Sequence, residues 1–161
     1  MSITNNVTRL LDGRKIPYRA FELPAGKLGA LETARLLAVS PELVYKTIVI
    51  QRERGKPILA VIPGPNEVDL KVLARALGEK KLFLSTEREA ERLTGLQAGG
   101  ISPLALLNKG FQVVIDAAAQ EQEEIHVSGG QRGLNIRLPV KALAELTRAR
   151  VVGISVVGDD R

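Results

Sequence analysis

A chain of 161 residues with 45% apolar side chains is long enough to bury one substantial core, and this composition excludes a disordered chain. It has no cysteine and a single histidine, His126, which excludes disulfides, thiolate metal sites and cysteine nucleophiles and leaves a histidine-based zinc site without support. No apolar run reaches the roughly 18 residues that span a membrane, and no signal peptide is visible, so we expect a cytoplasmic protein. The net charge of +5 suits an anionic partner such as RNA.

From residue 5 to residue 77, apolar residues at helical spacing alternate with runs of β-branched residues, which predicts short helices and strands. The helices are predicted over residues 5–12, 31–38 and 69–77, with a further helix start at 40–42, and the strands over 18–23, 44–51 and 57–63. The last two strands form a predicted β-hairpin, because a short turn containing Gly55 joins them. The stretch from Pro63 to Asn66 interrupts the chain before the next helix, which Asp69 caps.

The second half of the chain continues with elements of the same kind. Strands are predicted over residues 81–85, 111–117, 123–130, 133–139 and 148–157, helices over 86–93 and 140–147, and a frayed tail over 158–161. Strands and helices do not alternate strictly. We therefore predict one α+β domain over residues 1–161, with one mixed, mostly antiparallel sheet or a partly closed barrel.

Lys46 lies inside an otherwise apolar predicted strand. Strand alternation places it on the same face as Val44, Ile48 and Ile50. A charge on such a face is costly unless the ammonium group reaches water or a hydrogen-bond acceptor. Either the side chain extends to solvent at the end of the strand, or it points into a cleft and holds a phosphate or carbonyl oxygen.

The stretch Gly99-Gly100-Ile101-Ser102-Pro103 is a second unusual feature. Glycines allow a positive φ and let a ligand approach backbone N–H groups, which can stabilise an oxyanion or hold a hydroxyl group. A plain turn is the alternative interpretation.

A third feature is the stretch from Ser128 to Gly133, in which Gly129, Gly130 and Arg132 lie between two predicted strands. One interpretation is a hairpin turn with glycines in left-handed conformations. The other is a second glycine-rich edge of a site, where Ser128 and Arg132 contact a ligand.

Two other features are predicted to be structural. His126 is interpreted as an ordinary strand histidine, because the sequence shows no partner for it. The acidic residues Glu87 and Glu89 lie in polar surroundings and are predicted to be solvated.

Taken together and in this order, the stretches VYKTIVI, GGISPL and VSGGQRGL resemble those of the YbaK family. Its members are free-standing relatives of the editing domain inserted in bacterial prolyl-tRNA synthetase. The resemblance covers residues 7–157. The form SGGQRG is similar to the cysteine-specific branch of the family rather than the alanine-specific branch.

The resemblance implies a compact α+β fold and hydrolysis of the ester of a mischarged aminoacyl-tRNA, above all cysteine on proline tRNA. It implies no metal or other cofactor, and assistance from the thiol of the substrate itself. The catalytic residues it implies are Lys46, Gly100 and Ser102. The substrate-binding residues it implies are Gly99, Ile101, Pro103, Ser128, Gly129, Gly130 and Arg132. The implied partners are the acceptor end of an aminoacyl-tRNA and prolyl-tRNA synthetase, with no membrane involved.

Two alternative functions stay open. The stretch FELPAGKLGA has no Tyr or His, residues that are frequent in this part of the family, so alanine or another small amino acid is an alternative substrate. A non-catalytic module that binds tRNA, a synthetase or a small ligand is the other alternative, and it predicts binding without turnover. The sequence also leaves open whether the GGISP loop contacts the carbonyl oxygen or a ribose hydroxyl.

Overall fold

The structure, a computed structural model, describes residues 3–158, so the tail predicted to fray lies outside the described residues except for Gly158. The helices are α1 (Asn6–Gly13), α2 (Ala30–Leu37), α3 (Leu70–Leu77), α4 (Glu87–Thr94) and α5 (Val140–Thr147). The strands are β1 (Arg19–Glu22), β2 (Tyr45–Arg52), β3 (Ile58–Pro63), β4 (Asn66–Val68), β5 (Leu82–Leu84), β6 (Gln112–Asp116), β7 (Glu124–Ser128), β8 (Leu134–Pro139), β9 (Arg150–Val152) and β10 (Ser155–Val157). Among these helices, none has the length and apolarity needed to cross a membrane.

Polar side chains fix where several helices begin. Asn5, Asp69 and Thr86 each accept a backbone N–H of the first helical turn through a side-chain oxygen. Gly78 and Gly95 end α3 and α4 in the left-handed conformation that glycine adopts without steric cost. The cap predicted at Asp69 is therefore confirmed, and Thr86 caps α4 in the same way.

Five strands form the largest sheet, in the order β5-β2-β3-β6-β9. The pairs β5-β2 and β2-β3 are antiparallel, whereas β3-β6 and β6-β9 are parallel. A second sheet has the order β1-β8-β7, and β4 pairs with β10; all of these pairs are antiparallel. The α+β class, the mostly antiparallel pairing and the β2-β3 hairpin are confirmed.

The strands of residues 3–158 form three separate sheets and not the single sheet predicted, and these sheets do not form a closed barrel. The long final strand predicted over 148–157 is interrupted at Gly153 and Ile154. Ile154 donates its N–H to Asp116 Oδ1 at 2.8 Å, and its carbonyl accepts the N–H of Asp69 at 2.7 Å. The chain therefore leaves the five-stranded sheet after β9 and pairs with β4 instead. The predicted helix start at 40–42 forms only a short 3-10 turn, Pro41–Leu43.

Strand β3 is buried along its whole length, and its alternating side chains contribute to two cores. Leu59 and Val61 pack in the larger core with β7, β8 and α5. Ile58 and Ala60 pack in the smaller core with Leu73 of α3. An isolated bridge between Val44, which directly precedes β2, and β7 brings the five-stranded sheet against the three-stranded sheet.

Candidate active site

A cavity of about 320 Å³ opens where the beginning of β2 meets the three-stranded sheet. Its wall is formed by β2, the loop before α2, the start of α4, the glycine loop at 98–101, and parts of β7 and β8. The predicted site residues that line it are Lys46, Gly99, Ile101 and Ser128, together with Gly133 from the same glycine-rich stretch. The structure therefore gathers all three stretches of the sequence resemblance around one cavity.

Lys46 is half-buried in the cavity wall and lies opposite Ile62 in the β2-β3 ladder. Burial lowers the pKa of its ammonium group, and the negative charge of Glu67 acts in the opposite direction. The ion pairs found within residues 3–158 do not include Lys46. Its ammonium group is therefore available to an anionic oxygen that enters the cavity.

The two glycines of the GGISP loop have different surroundings. Gly99 is exposed at the cavity wall with a φ of +89°, a backbone conformation that residues other than glycine rarely adopt. Gly100 is buried behind the wall, where an added Cβ would lie 2.9 Å from the backbone of Gln131. The Gly100 N–H already donates to Gln97 O at 2.8 Å, so it is not free to stabilise an oxyanion. In this arrangement Gly100 contributes to the packing of the two loops, and its predicted catalytic role stays a prediction.

Ser102 is completely buried and does not line the cavity. Its Oγ accepts the N–H of Leu104 at 3.1 Å and so caps the 3-10 turn Pro103–Leu106. Pro103 is the first residue of that turn and is also buried away from the cavity. Both residues hold the end of the loop in place, which does not support the direct contacts with substrate predicted for them.

The stretch from Ser128 to Gly133 packs against the GGISP loop. Ser128 lines the cavity, whereas Gly129 and Gly130 do not. Arg132 donates its Nε–H to the carbonyl oxygen of Ala98 at 2.7 Å, which ties the two glycine loops together. This bond uses the Nε–H of Arg132 to position the loops, and the predicted contact of its guanidinium group with substrate stays a prediction.

The N-terminus of α1 supports the same stretch from the other side. Asn5 Nδ2 donates to Gly129 O and to Gln131 Oε1, each at 2.9 Å. An added Cβ on Gly130 would lie 3.0 Å from Val7 Cγ2. Gly130 therefore permits close packing between α1 and the loop, whereas an added Cβ on Gly129 would collide with Leu134 of β8.

Several polar residues of the wall were not identified from the sequence. These residues are Thr33, Thr47, Ser85 and Asn135, from α2, β2, the turn before α4, and β8. Within residues 3–158, Ser85 Oγ is buried without a hydrogen-bond partner. Because these residues come from separate elements, no local motif marks them. Asn135 alone gives a signal, since it is a polar residue between two apolar strand residues, Leu134 and Ile136.

The entrance of the cavity is bordered by the loop before α2. Lys27 in this loop forms an ion pair with Glu87 at the start of α4, with 2.9 Å between Nζ and Oε1. Glu87 is exposed to solvent, as predicted, and it also lines the cavity at its entrance. Both side chains are more than half exposed, and exposed pairs of this kind contribute little to stability.

The family model of the aminoacyl-tRNA editing domain matches residues 27–146. The chain belongs to this family. The editing domain is 34% identical over 152 residues to EbsC of Enterococcus faecalis, which is named as a candidate Cys-tRNA(Pro)/Cys-tRNA(Cys) deacylase; 93% of this chain and 92% of that protein are covered. Over 121 residues it is 27% identical to a proline–tRNA ligase of Thermodesulfovibrio yellowstonii, covering 75% of this chain and 20% of the ligase.

A solved structure has the same fold as the editing domain. It is the crystal structure of a candidate trans-editing enzyme for prolyl tRNA synthetase, with a TM-score of 0.80 and 27% identity. The match covers 96% of this chain and 99% of the other. The fold and the family predicted from the three sequence stretches are thus confirmed.

The cavity of the editing domain offers a cation, polar side chains and loop backbone, but its wall contains no histidine, and the chain contains no cysteine. Within residues 3–158, no group of three or more metal-ligating side chains could hold a metal ion. This arrangement is suited to orienting a reactive substrate and stabilising negative charge on its oxygens.

Proposed function

We propose that this editing domain acts in trans as an aminoacyl-tRNA deacylase, with Cys-tRNA(Pro) as its preferred substrate. The observation that carries the proposal is the convergence of Lys46, the GGISP loop and Ser128 on one cavity in a chain of the editing family. The name of EbsC, a relative over nearly the whole length of both chains, supports cysteine as the amino acid removed.

An aminoacyl ester is already an activated acyl group, so its hydrolysis depends on orientation and charge stabilisation more than on a strong protein nucleophile. In the proposed reaction a water molecule adds to the carbonyl carbon and the bond from that carbon to the ribose oxygen breaks. One proton of the water passes to the ribose oxygen, which leaves as the ribose hydroxyl, and the amino acid is released with a free carboxyl group. Lys46 binds either the developing oxyanion or the phosphate of the terminal adenosine. The backbone at Gly99 and Ile101, which both line the cavity, approaches the carbonyl or ribose oxygen. The thiol of the cysteinyl group assists the hydrolysis of its own ester, so aminoacyl groups that lack a thiol should react more slowly.

A second substrate class is supported by the loop before α2. Its residues in the cavity wall include Leu23, Gly26 and Leu28, which offer apolar contacts in place of an aromatic or imidazole group. Such a wall accommodates a methyl group as readily as a thiol. Alanine and other small amino acids are therefore the alternative substrates. The rate at which each amino acid is released from mischarged proline tRNA distinguishes them from cysteine.

We further propose that prolyl-tRNA synthetase delivers the mischarged tRNA. The similarity to a segment equal to 20% of a proline–tRNA ligase supports this partner, because that segment corresponds to most of the present chain. A domain of this size has little surface with which to select a particular tRNA on its own. Addition of the synthetase should therefore increase the preference for proline tRNA over other tRNAs.

The test is the release of radiolabelled amino acid from proline tRNA mischarged with cysteine, alanine or serine. Wild-type protein should release cysteine fastest. Lys46→Ala should abolish release while the thermal unfolding temperature stays close to wild type, because Lys46 is proposed to contact the substrate and forms no ion pair within residues 3–158. Lys46→Arg, the matched control that keeps the charge, should retain part of the activity.

Two outcomes contradict the proposal. Full activity of Lys46→Ala would exclude the role of Lys46. Binding of every charged tRNA without release of any amino acid would instead indicate the non-catalytic module.

A further inference from the structure

His126 and Asn135 form a buried polar pair behind the cavity. His126 on β7 is 1% exposed, and its Nδ1 lies 2.8 Å from Asn135 Oδ1. In the β7-β8 ladder His126 is opposite Arg137 and Ser128 is opposite Asn135, so the two side chains are diagonal neighbours on one face. His126, for which the sequence shows no partner, therefore has one in the fold, and that partner lines the cavity.

The protonation of the imidazole ring decides which end of the Asn135 carboxamide faces the cavity. An amide oxygen can only accept, so the contact with Oδ1 requires a proton on Nδ1 of His126. In that tautomer the buried Nε2, which has no partner within residues 3–158, is an unpaired acceptor. The opposite arrangement would leave a buried N–H donor unpaired, which is rarer in proteins. The first arrangement is favoured, and it leaves the amide nitrogen of Asn135 for the cavity.

The surroundings keep His126 neutral. Burial is the largest cause that lowers the pKa of its imidazole, and the positive charges of Arg137 on β8 and Arg19 on β1 act in the same direction. The hydrogen bond to Asn135 and the negative charge of Glu124 on β7 oppose this shift. On the same face, the Phe21 ring of β1 lies with its centroid 5.5 Å from that of His126. A neutral ring with one N–H can hold a single amide orientation.

We propose that His126 is a positioning residue that fixes the Asn135 carboxamide with its NH₂ group toward the cavity, where it donates a hydrogen bond to an oxygen of the acyl ester or of the terminal ribose. The nature of the ligand rests on the proposed deacylase function. The orientation of the amide does not depend on that function, so the two can be tested separately.

The first test is nitrogen NMR of the untagged, ligand-free protein labelled with ¹⁵N. His126 is the only histidine in the chain, so both ring-nitrogen signals belong to it without further assignment. We expect a proton on Nδ1 and none on Nε2 near neutral pH. A proton on Nε2, or an imidazolium ring at this pH, would overturn the proposed orientation.

The second test is a double-mutant cycle on deacylation. His126→Leu should lower kcat/KM about tenfold, the usual effect of losing one hydrogen bond to a substrate-binding group. In the Asn135→Ala background the same change should have almost no effect, because His126 acts through Asn135. His126→Gln, which keeps an amide donor, should restore part of the activity, and thermal unfolding of each variant reports on its folding.

Equal effects of His126→Leu in both backgrounds would show that His126 does not act through Asn135 and would overturn the proposal. If wild-type protein deacylates none of the tRNAs, the proposed function fails, and the NMR result alone decides the orientation of Asn135. If His126→Leu does not fold, His126→Phe, which fills more of the volume of the ring and also lacks a donor, takes its place in the cycle, and the same comparison of the two backgrounds applies.

Discussion

Lys46 and Asn135 show how single polar residues on buried strands supply the chemistry of the site. Each lies in a strand whose neighbouring residues are mostly apolar, and each reaches the cavity wall. A polar group at such a position lowers stability unless it is hydrogen-bonded or reaches solvent, and its presence there points to a function. Ser102 is also buried and polar, but its hydroxyl is used within the fold.

Ser102→Ala separates a structural role from a catalytic one. Removal of Oγ leaves the Leu104 N–H without its acceptor, so the free energy of unfolding should fall by about 1 kcal/mol. Deacylation should stay near the wild-type rate, because Ser102 does not line the cavity. Urea unfolding and the Cys-tRNA(Pro) assay measure the two effects. A variant that keeps its stability and loses its activity would instead make Ser102 part of the catalytic machinery.

At the level of the elements, the two glycine loops act as one unit. Gly100 lies directly against Gln131, and Arg132 bonds to Ala98 from the opposite loop. Asn5 holds the same region from α1. The wall at Gly99 and Ile101 is therefore positioned by contacts that do not themselves face the substrate.

Gly100→Ala should push these loops apart. Its Cβ would meet backbone atoms of Gln131 at 2.9 Å, which cannot be relieved by rotation of a side chain. We expect a loss of about 1–3 kcal/mol in stability and a larger loss in deacylation than this instability explains. Gly153→Ala is the matched control, because an added Cβ there meets nothing within 4 Å. Similar activity of the two variants at a temperature where both are folded would contradict the proposed packing.

At the scale of the whole molecule, the sequence was sufficient for the α+β class and for most helices and strands. Periodicity and local caps determine these elements, as at Asp69 and Thr86. The separation of β10 from the five-stranded sheet is not predicted, because Asp116 accepts the N–H of Ile154, 38 residues away along the chain. Contacts of this range leave no periodic pattern in the sequence.

The same distinction applies to the candidate site. Lys46 was identified because it interrupts an apolar strand, and the glycines because their spacing is unusual. Which glycines face the cavity depends on how the two loops pack, so the sequence cannot distinguish Gly99, which lines the cavity, from Gly100, whose N–H donates within its own loop. Thr33 and Ser85 belong to separate elements that meet at the cavity wall only in the folded chain, so no local motif in the sequence marks them.

The net charge of +5 leads to a prediction for the molecule as a whole. Association with a polyanion releases counterions, so kcat/KM for cysteinyl-tRNA should fall steeply as the salt concentration rises. A cysteinyl ester of adenosine, which lacks the polynucleotide backbone, should show a much weaker dependence. Measurement of both substrates over one range of salt concentrations tests this. Equal slopes would indicate that contacts near the cavity, and not the charge of the whole surface, determine binding.

Residues of β2 and β8 line the same cavity. These strands are distant in the chain and come together only when the two larger sheets dock. Closing so long a loop costs entropy before any contact compensates for it, and folds with many distant contacts fold slowly. A chain that has folded only its first half holds Lys46 but has no Asn135 beside it. Deacylase activity should therefore appear late in folding, in the step that completes the native structure. During refolding from denaturant, the rate at which deacylase activity returns should equal the rate of the slowest folding step.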